Sequence, residues 1–326
     1  MKAKILALLR ERGGYVSGQE MCDMFQVSRT AVWKAINQLK KEGYRIDAVS
    51  NKGYFLHPEE EVFGSHELES RIDTAWAGRP VHFFETIDST NLRAKLEAEA
   101  GAKQGTLIVA DEQTAGRGRR GRDWESPAGK NVYFTLLLRP EMDPGRASML
   151  TLVMALAVAE GIQKTCRLDP QIKWPNDIVL EGKKICGMLT EMSLERDYIH
   201  YVVVGVGINV GLQCFPEPIS ATAACLQEFT GKPVNRATLI AEIMKSFEPL
   251  YDRFLQTYDM REIRQLYEDK LVNRNRQVRV LDPKGEYTGT ARGINDRGEL
   301  LVELPDGRTE TVYAGEVSVR GLYGYT

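Results

Sequence analysis

The densest chemistry in this 326-residue chain is Gly116-Arg-Gly-Arg-Arg-Gly-Arg122, four arginines among three glycines. Glycines let backbone N–H groups turn toward an anion and arginines add forked donors, so the segment suits a phosphate or an adenylate. It also matches G-x-G-x-x-G. A dinucleotide-binding fold opens a helix at that point, however, and Trp124, Pro127 and Gly129 break one. The Rossmann alternative is rejected. A basic loop that binds nucleic acid, or that simply meets solvent, is the competing explanation.

Three further segments carry polar groups at useful spacing. Lys173-Trp-Pro-Asn-Asp177 ends a strand, where Pro175 stops pairing and aims Asn176 and Asp177 off the sheet edge; Lys184 follows Asp177 by seven residues. Taken alone, those residues are equally a Pro-Asn-Asp turn with a surface lysine pair. Gly205-Val-Gly-Ile-Asn209 is a glycine-interrupted strand end, a bulge or a close backbone approach. Asp88-Ser-Thr-Asn91 reads as a helix N-cap whose hydroxyls and orphan N–H groups suit an anionic or ureido-type ligand, with plain capping as the ordinary alternative.

The elements that must position these groups read as a mixed α/β body. Strands are expected at 82–85, 106–110, 132–138, 171–174, 185–192 and 199–206, and helices at 89–99, 146–165 and 236–256. The run 151–160 is nearly all apolar, as a buried core helix would be. From Arg276 the texture changes to short strands punctuated at 282–285, 295–298 and 305–307, the pattern of a small β-barrel. Pro58-Glu-Glu-Glu61 reads as a linker. At roughly 150 residues per domain the length favours two domains, with three reasonable.

Charge is unevenly placed. Residues 1–57 hold ten Lys/Arg against five Asp/Glu, a net +5, and the rest holds 33 against 40, a net −7. In the basic part, residues 2–12 place Ile5, Leu8 and Leu9 on one helical face, and Gly13-Gly14 stops the helix. Ser17-x-x-Glu20 is a capping box opening a helix with Met21, Met24 and Phe25 inward. A third helix starts at Ser28, buries Val32, Ile36 and Leu39, and ends at Gly43; 44–49 and 54–56 form a hairpin around Ser50-Asn-Lys-Gly53. Three helices and a hairpin make a winged helix-turn-helix. Ser28, Arg29, Thr30, Trp33 and Lys34 would then face a DNA major groove, with Lys52 holding phosphate at the hairpin tip. A protein-interaction module with a solvated cationic face is the alternative.

Composition removes other classes. With 43% hydrophobic and 27% charged residues the chain is globular. Five scattered cysteines without C-x-x-C, and four histidines without H-x-x-x-H, give no metal site and no disulfide framework. There is no G-x-S-x-G and no P-loop. The uncharged stretch 198–216 is interrupted by Gly205, Gly207, Asn209, Gly211 and Gln213, and the N-terminus lacks a cleavage signal, so a cytoplasmic protein without a membrane partner is expected.

Asp88-Ser-Thr-Asn91, GRGRRGR, KWPND with its lysine seven residues on, and GxGxN, in that order, resemble biotin protein ligase. The winged helix extends the resemblance to the bifunctional members, ligase and biotin-operon repressor in one chain. The family fold implies a winged helix-turn-helix over 1–62, a catalytic α/β domain similar to class II aminoacyl-tRNA synthetases over 63–272, and an SH3-like barrel over 273–326. The implied chemistry makes biotinyl-5′-AMP from biotin and ATP, Mg²⁺ arriving with the nucleotide, and then biotinylates one lysine of a biotin carboxyl carrier protein. The implied biotin and adenylate residues are Ser89, Thr90, Asn91, Gln113, Gly116, Arg117, Gly118, Arg119, Trp124 and Lys184, with Asn176, Asn209 and Arg320 toward the nucleotide. Asp177 would lie near Mg²⁺ or the acceptor lysine, and Lys184, Arg119 and Asp177 would carry catalysis. A homodimer promoted by the adenylate would bind operator DNA. A lipoate-type ligase would lack the winged helix and the pairing of GRGRRGR with KWPND, and a pure ligand sensor need not keep Lys184.

Overall fold

Residues 1–57, 62–282, 285–314, 318–321 and 325–326 are described by a computed structural model, the side chain of Ser318 excepted. The expected linker 58–61 and the centre of the 282–285 turn lie outside the described residues. Two compact units form, Met1–Asp73 and Thr74–Thr326.

The first unit follows its caps. Helix α1 (Lys2–Arg12) ends at Gly13 in the left-handed region, and α2 (Gly18–Phe25) starts where Ser17 accepts from Glu20 N at 3.0 Å. The Glu20 carboxylate turns to Arg12, 2.9 Å away. Helix α3 (Arg29–Lys41) starts where Ser28 accepts from Ala31 N at 3.2 Å. Ile5, Leu6, Leu9, Met21, Val32, Ile36 and Leu39 make the core, each buried aliphatic side chain contributing about 1.5–3 kcal/mol. Met24, expected inward, is 51% exposed. The inward face centres on Met21, Cys22 and Phe25, and Met24 lies roughly a quarter-turn around the helix from it.

Strands β1 (Ile46–Val49) and β2 (Gly53–Leu56) pair as the expected hairpin. Gly53 is required there: its φ is 104° and a Cβ would fall 2.1 Å from Val16 O. Helix α4 (Ser65–Arg71) completes the unit. Its buried Glu67 is neutralised by Arg10 and by Arg71, whose Nε donates at 2.6 Å.

The second unit is built on a seven-stranded sheet. Its strands are β3 (Val81–Ile87), β4 (Leu107–Gln113), β5 (Val132–Leu138), β6 (Gln171–Lys173), β7 (Asp177–Leu180), β8 (Lys183–Glu195) and β9 (Tyr198–Ile208), in the order β3-β4-β5-β9-β8-β7-β6. Only β3 and β4 run parallel within it. Helix α5 (Thr90–Glu99) packs Ala94 and Ala98 on Ile108, Leu137, Tyr201 and Val203, covering one face. Helix α6 (Met149–Cys166) covers the other, where Thr151 meets Thr190 at 2.7 Å. The segment Pro144–Cys166 is long and apolar enough to cross a membrane by length and composition, yet 72% of its apolar window is buried inside the fold. A short α7 (Leu226–Thr230) leads to α8 (Arg236–Thr257), which packs so closely on α6 that a Cβ at Gly161 would fall 2.5 Å from Ile243.

The sequence expectation placed Asn176 and Asp177 off the sheet edge. Instead Lys173 and Asp177 pair directly, so Trp174-Pro-Asn176 is the turn of a β6–β7 hairpin and Asp177 opens a strand. After α9 (Arg264–Lys270) come β10 (Gln277–Asp282), β11 (Gly285–Ile294), β12 (Leu300–Glu303), β13 (Thr309–Val312) and β14 (Ser318–Gly321). They form an antiparallel sheet ordered β13-β12-β11-β10-β14. A bulge between Ala291 and Gly293 bends β11, but β13 and β14 do not pair among the described residues. Among the described residues the expected small barrel is thus an open sheet.

Candidate active site

Period-two alternation explains the pocket floor. Gly205 and Gly207 lie on the α5 face of β9, opposite Leu189 and Gly187 of β8. A Cβ on Gly205 would fall 2.1 Å from Asn91 Oδ1, and one on Gly207 would fall 2.6 Å from Trp124 Nε1. The glycines of GxGxN leave room for side chains above the sheet, a role their spacing had left open between a bulge and a close approach.

Those side chains are held by one another. Gln113 Oε1 accepts from Thr90 N at 2.9 Å and from Thr90 Oγ1 at 3.0 Å, while Gln113 Nε2 donates to Ser126 Oγ at 3.0 Å. The cap of α5 therefore falls on Ser89, with an N–H of its first turn satisfied from β4. Thr135 donates to Asn91 Oδ1 at 2.6 Å, and Asn91 Nδ2 donates to Glu191 at 2.8 Å. Such a network fixes rotamers before any ligand arrives.

The glycine–arginine segment is a closed loop and opens no α-helix. Trp124 N donates to Gly116 O at 3.0 Å, Gly118 N donates to Arg122 O at 2.7 Å, and Arg120 takes a left-handed conformation at φ 60°. A Cβ on Gly116 would fall 2.5 Å from Trp124 O, so the crossing needs glycine. Arg119 reaches across the site, donating to Asn176 Oδ1 at 2.9 Å and to Ala314 O at 2.6 Å. Asn176 Nδ2 in turn donates to Met188 O at 3.0 Å, pinning the hairpin turn to β8.

Charge concentrates at one end. Lys184 Nζ stands 2.7 Å from Asp177 Oδ1 and 5.3 Å from the centre of the Trp124 ring. Tyr325 donates to Asp177 Oδ2. Burial works to raise the Asp177 pKa, but Lys184 and Lys173, with the hydrogen bonds from Lys184 and Tyr325, outweigh it and hold the carboxyl below its ordinary value. Lys173 is itself buried, its Nζ 3.4 Å from the centre of the Tyr325 ring, and burial is the main cause that lowers its pKa to about 8.

Together these groups form one pocket. Ser89, Thr90, Asn91, Gln113, Arg117, Gly118, Arg119, Trp124, Asn176 and Lys184 line it, so ten of the expected residues converge from four separate segments. Gly116, the loop's crossing point, is not part of that lining, and neither is Asp177, which pairs with Lys184. Asn209 is buried with its side chain donating to Ala224 O at 3.2 Å, and Arg320 is exposed on β14. Sequence reasoning passed over Lys173 and Tyr325. The first was quoted inside KWPND without a role, and the second carries no local signal. Buried Trp124 Nε1 has no hydrogen-bond partner among the described residues, which fits a pocket built to receive a polar ligand.

The first unit presents a different surface. Thr30, Trp33 and Lys34 are exposed on α3, Trp33 by 57%, next to Ser28 at its cap. Arg29 donates to Gln19 Oε1 from Nε at 3.1 Å and from Nη2 at 2.7 Å, and Lys52 is exposed at the hairpin turn.

Three stretches of the chain match known families. Residues 83–209 match the model of the biotin/lipoate A/B protein ligase family, residues 2–55 an HTH domain, and residues 275–320 the biotin protein ligase C-terminal domain. The bifunctional ligase/repressor BirA of Bacillus subtilis is 36% identical, over 98% of each chain. That of Escherichia coli is 32% identical over 97% of this chain and 96% of its own. The biotin protein ligase of Aquifex aeolicus, solved with biotin and ATP, superposes with a TM-score of 0.65 at 31% identity, covering 74% of this chain and 99% of that one. The chain belongs to the biotin protein ligase family, in its bifunctional ligase/repressor form.

Proposed function

We propose that the pocket joins biotin to ATP and then passes the biotinyl group to a lysine of a biotin carboxyl carrier protein. The observation that carries this is the convergence of Ser89–Asn91, Gln113, the Gly116–Arg122 loop and Lys184 around one glycine-floored pocket. The ureido ring of biotin would meet Ser89, Thr90, Asn91 and Gln113, and the adenylate would lie under Arg117, Gly118 and Arg119 beside Trp124. Asn176 would orient Arg119 at the nucleotide. Asn209 would act from behind the floor, and Arg320 would reach the triphosphate from the C-terminal sheet. That body is similar to class II aminoacyl-tRNA synthetases, followed by an SH3-like domain.

In the first step a carboxylate oxygen of biotin forms a bond to the α-phosphorus and pyrophosphate leaves. The carboxylate is already ionised at neutral pH, so the step needs positioning and charge compensation rather than a base. Lys184 and Arg119 supply the compensating charge. Mg²⁺ would arrive bound to the triphosphate. In the second step the acceptor amine attacks the acyl carbon and AMP leaves. That amine arrives mostly as ammonium, its unperturbed pKa being about 10.4, and Asp177, kept ionised, receives it and assists its deprotonation, the proton passing on to solvent.

The winged helix-turn-helix over the first unit would bind a palindromic operator as a homodimer. If the adenylate favours the dimer, adenylate and DNA favour each other reciprocally, and one intermediate is both substrate and corepressor. Work on both ATP and operator DNA would belong to the cytoplasm. The test is mass spectrometry of a biotin carboxyl carrier protein incubated with the chain and ATP. A gain of one biotinyl group with biotin, and none with lipoate, is expected; a gain with lipoate instead would replace the reading with a lipoate-type ligase.

A further inference from the structure

Asp177 is held from both sides, and one of its partners comes from the end of the chain. Tyr325 lies 148 residues away in sequence, yet its Oη donates to Asp177 Oδ2 while Lys184 occupies Oδ1 at 2.7 Å. The same tyrosine ring carries the Lys173 ammonium on its face, 3.4 Å from the centroid, and Lys173 is only 5% exposed. The ring is thus anchored on a buried cation at one face and spends its hydroxyl on the carboxylate.

We infer that Tyr325 is a positioning residue for the transfer step, fixing Asp177 so that the free lone pair of Oδ2 meets the incoming acceptor ammonium. The proposal deepens the reading of Asp177 above and rests on it. A carboxylate oxygen has two acceptor sites, so the tyrosine fixes its direction and leaves one site open. Burial, with the neighbouring Asp177 charge and hydrogen bond, pushes the Tyr325 hydroxyl above its ordinary pKa, so it remains a neutral donor and Asp177 keeps its charge. The adenylation step makes no demand on this contact, because biotin brings its own ionised carboxylate. Tyr325 therefore separates the two half-reactions.

The experiment is single-turnover transfer from preformed biotinyl-5′-AMP to the carrier protein, beside biotin-dependent ATP–pyrophosphate exchange. It compares the native chain, Tyr325→Phe, Asp177→Asn and the double variant. Phenylalanine keeps the ring over Lys173 and removes only the hydroxyl. Tyr325→Phe is expected to slow transfer on the order of tenfold, the worth of one hydrogen bond to a charged group. Exchange and the carrier KM stay unchanged, and the double variant is no slower than Asp177→Asn. Native transfer by Tyr325→Phe, faster transfer, equal loss of exchange, or a further loss on top of Asp177→Asn would each overturn the inference. Native transfer by Asp177→Asn would instead remove the underlying role of Asp177, a separate result.

Discussion

Lys184 Nζ lies 2.7 Å from Asp177 Oδ1, so the aspartate and the final lysine of KWPND-x6-K form one ion pair on the β7–β8 hairpin. Each has a different half-reaction to serve. Lys184 also lines the pocket beside Trp124, where a carboxylate and a phosphate would meet it, whereas Asp177 is not part of that lining. Asp177→Asn is therefore expected to leave pyrophosphate exchange within a few-fold of native and to slow transfer from preformed adenylate by roughly a hundredfold or more, the usual worth of a proton-transfer group. Stopped-flow or quenched transfer assays read this directly, and an equal loss in both half-reactions would contradict it.

Gly207 offers a steric test of the pocket floor. In Gly207→Ala the new Cβ would fall 2.6 Å from Trp124 Nε1 and 2.7 Å from Trp124 Cε2, forcing the indole up into the ligand space. Biotin affinity is expected to fall on the order of tenfold or more, while the melting temperature moves little because the indole edge can shift. Calorimetric titration with biotin checks this, and native affinity would show that the floor does not bound the ligand.

Lys173 makes a prediction in pH. Burial lowers its pKa to about 8; Asp177 pulls it up, and Lys184, Arg320 and Arg122 push it down. An unfolded lysine keeps its proton to about 10.4. Between those values the unfolded chain binds the extra proton, so this group makes stability rise with pH across that window and contributes least below it. Nitrogen-15 NMR of the lysine side chains, with Lys173→Arg to assign the resonance, is expected to show a midpoint near 8. A midpoint near 10.4 would mean the site is wet.

On the first unit, Lys34 and Lys52 are the exposed cations whose removal tests the DNA reading. Lys34→Ala and Lys52→Ala should each weaken operator binding and reduce the slope of log affinity against log salt by about one, as loss of one phosphate contact does. Fluorescence anisotropy over a salt series measures both, and unchanged slopes would return α3 to a protein-interaction surface.

Much of this site is legible in the sequence because its parts are local. Ser28 and Ser17 announce their helices, the arginines of residues 116–122 cluster within one loop, and Lys184 follows Asp177 by a single hairpin. What escaped was set by distance or by pairing. The strand Asp177–Leu180 is only four residues long and hides behind Pro175, whose turn signal is as strong as that of a loop. Asn209 stands two residues beyond Gly207, but its amide satisfies the buried Ala224 carbonyl away from the pocket lining. Tyr325 meets Asp177 only through the tertiary fold, and no local pattern marks it. The barrel expected from regular turn spacing is an open sheet among the described residues, since spacing counts strands without fixing whether the first and last of them meet.

The most direct measurement is biotin-dependent ATP–pyrophosphate exchange by the purified chain, with lipoate as the control acid and Lys184→Ala beside the native protein. Exchange with biotin, none with lipoate, and loss in Lys184→Ala is the predicted result. No exchange with either acid would contradict the account and leave a regulator whose pocket senses a ligand without activating it.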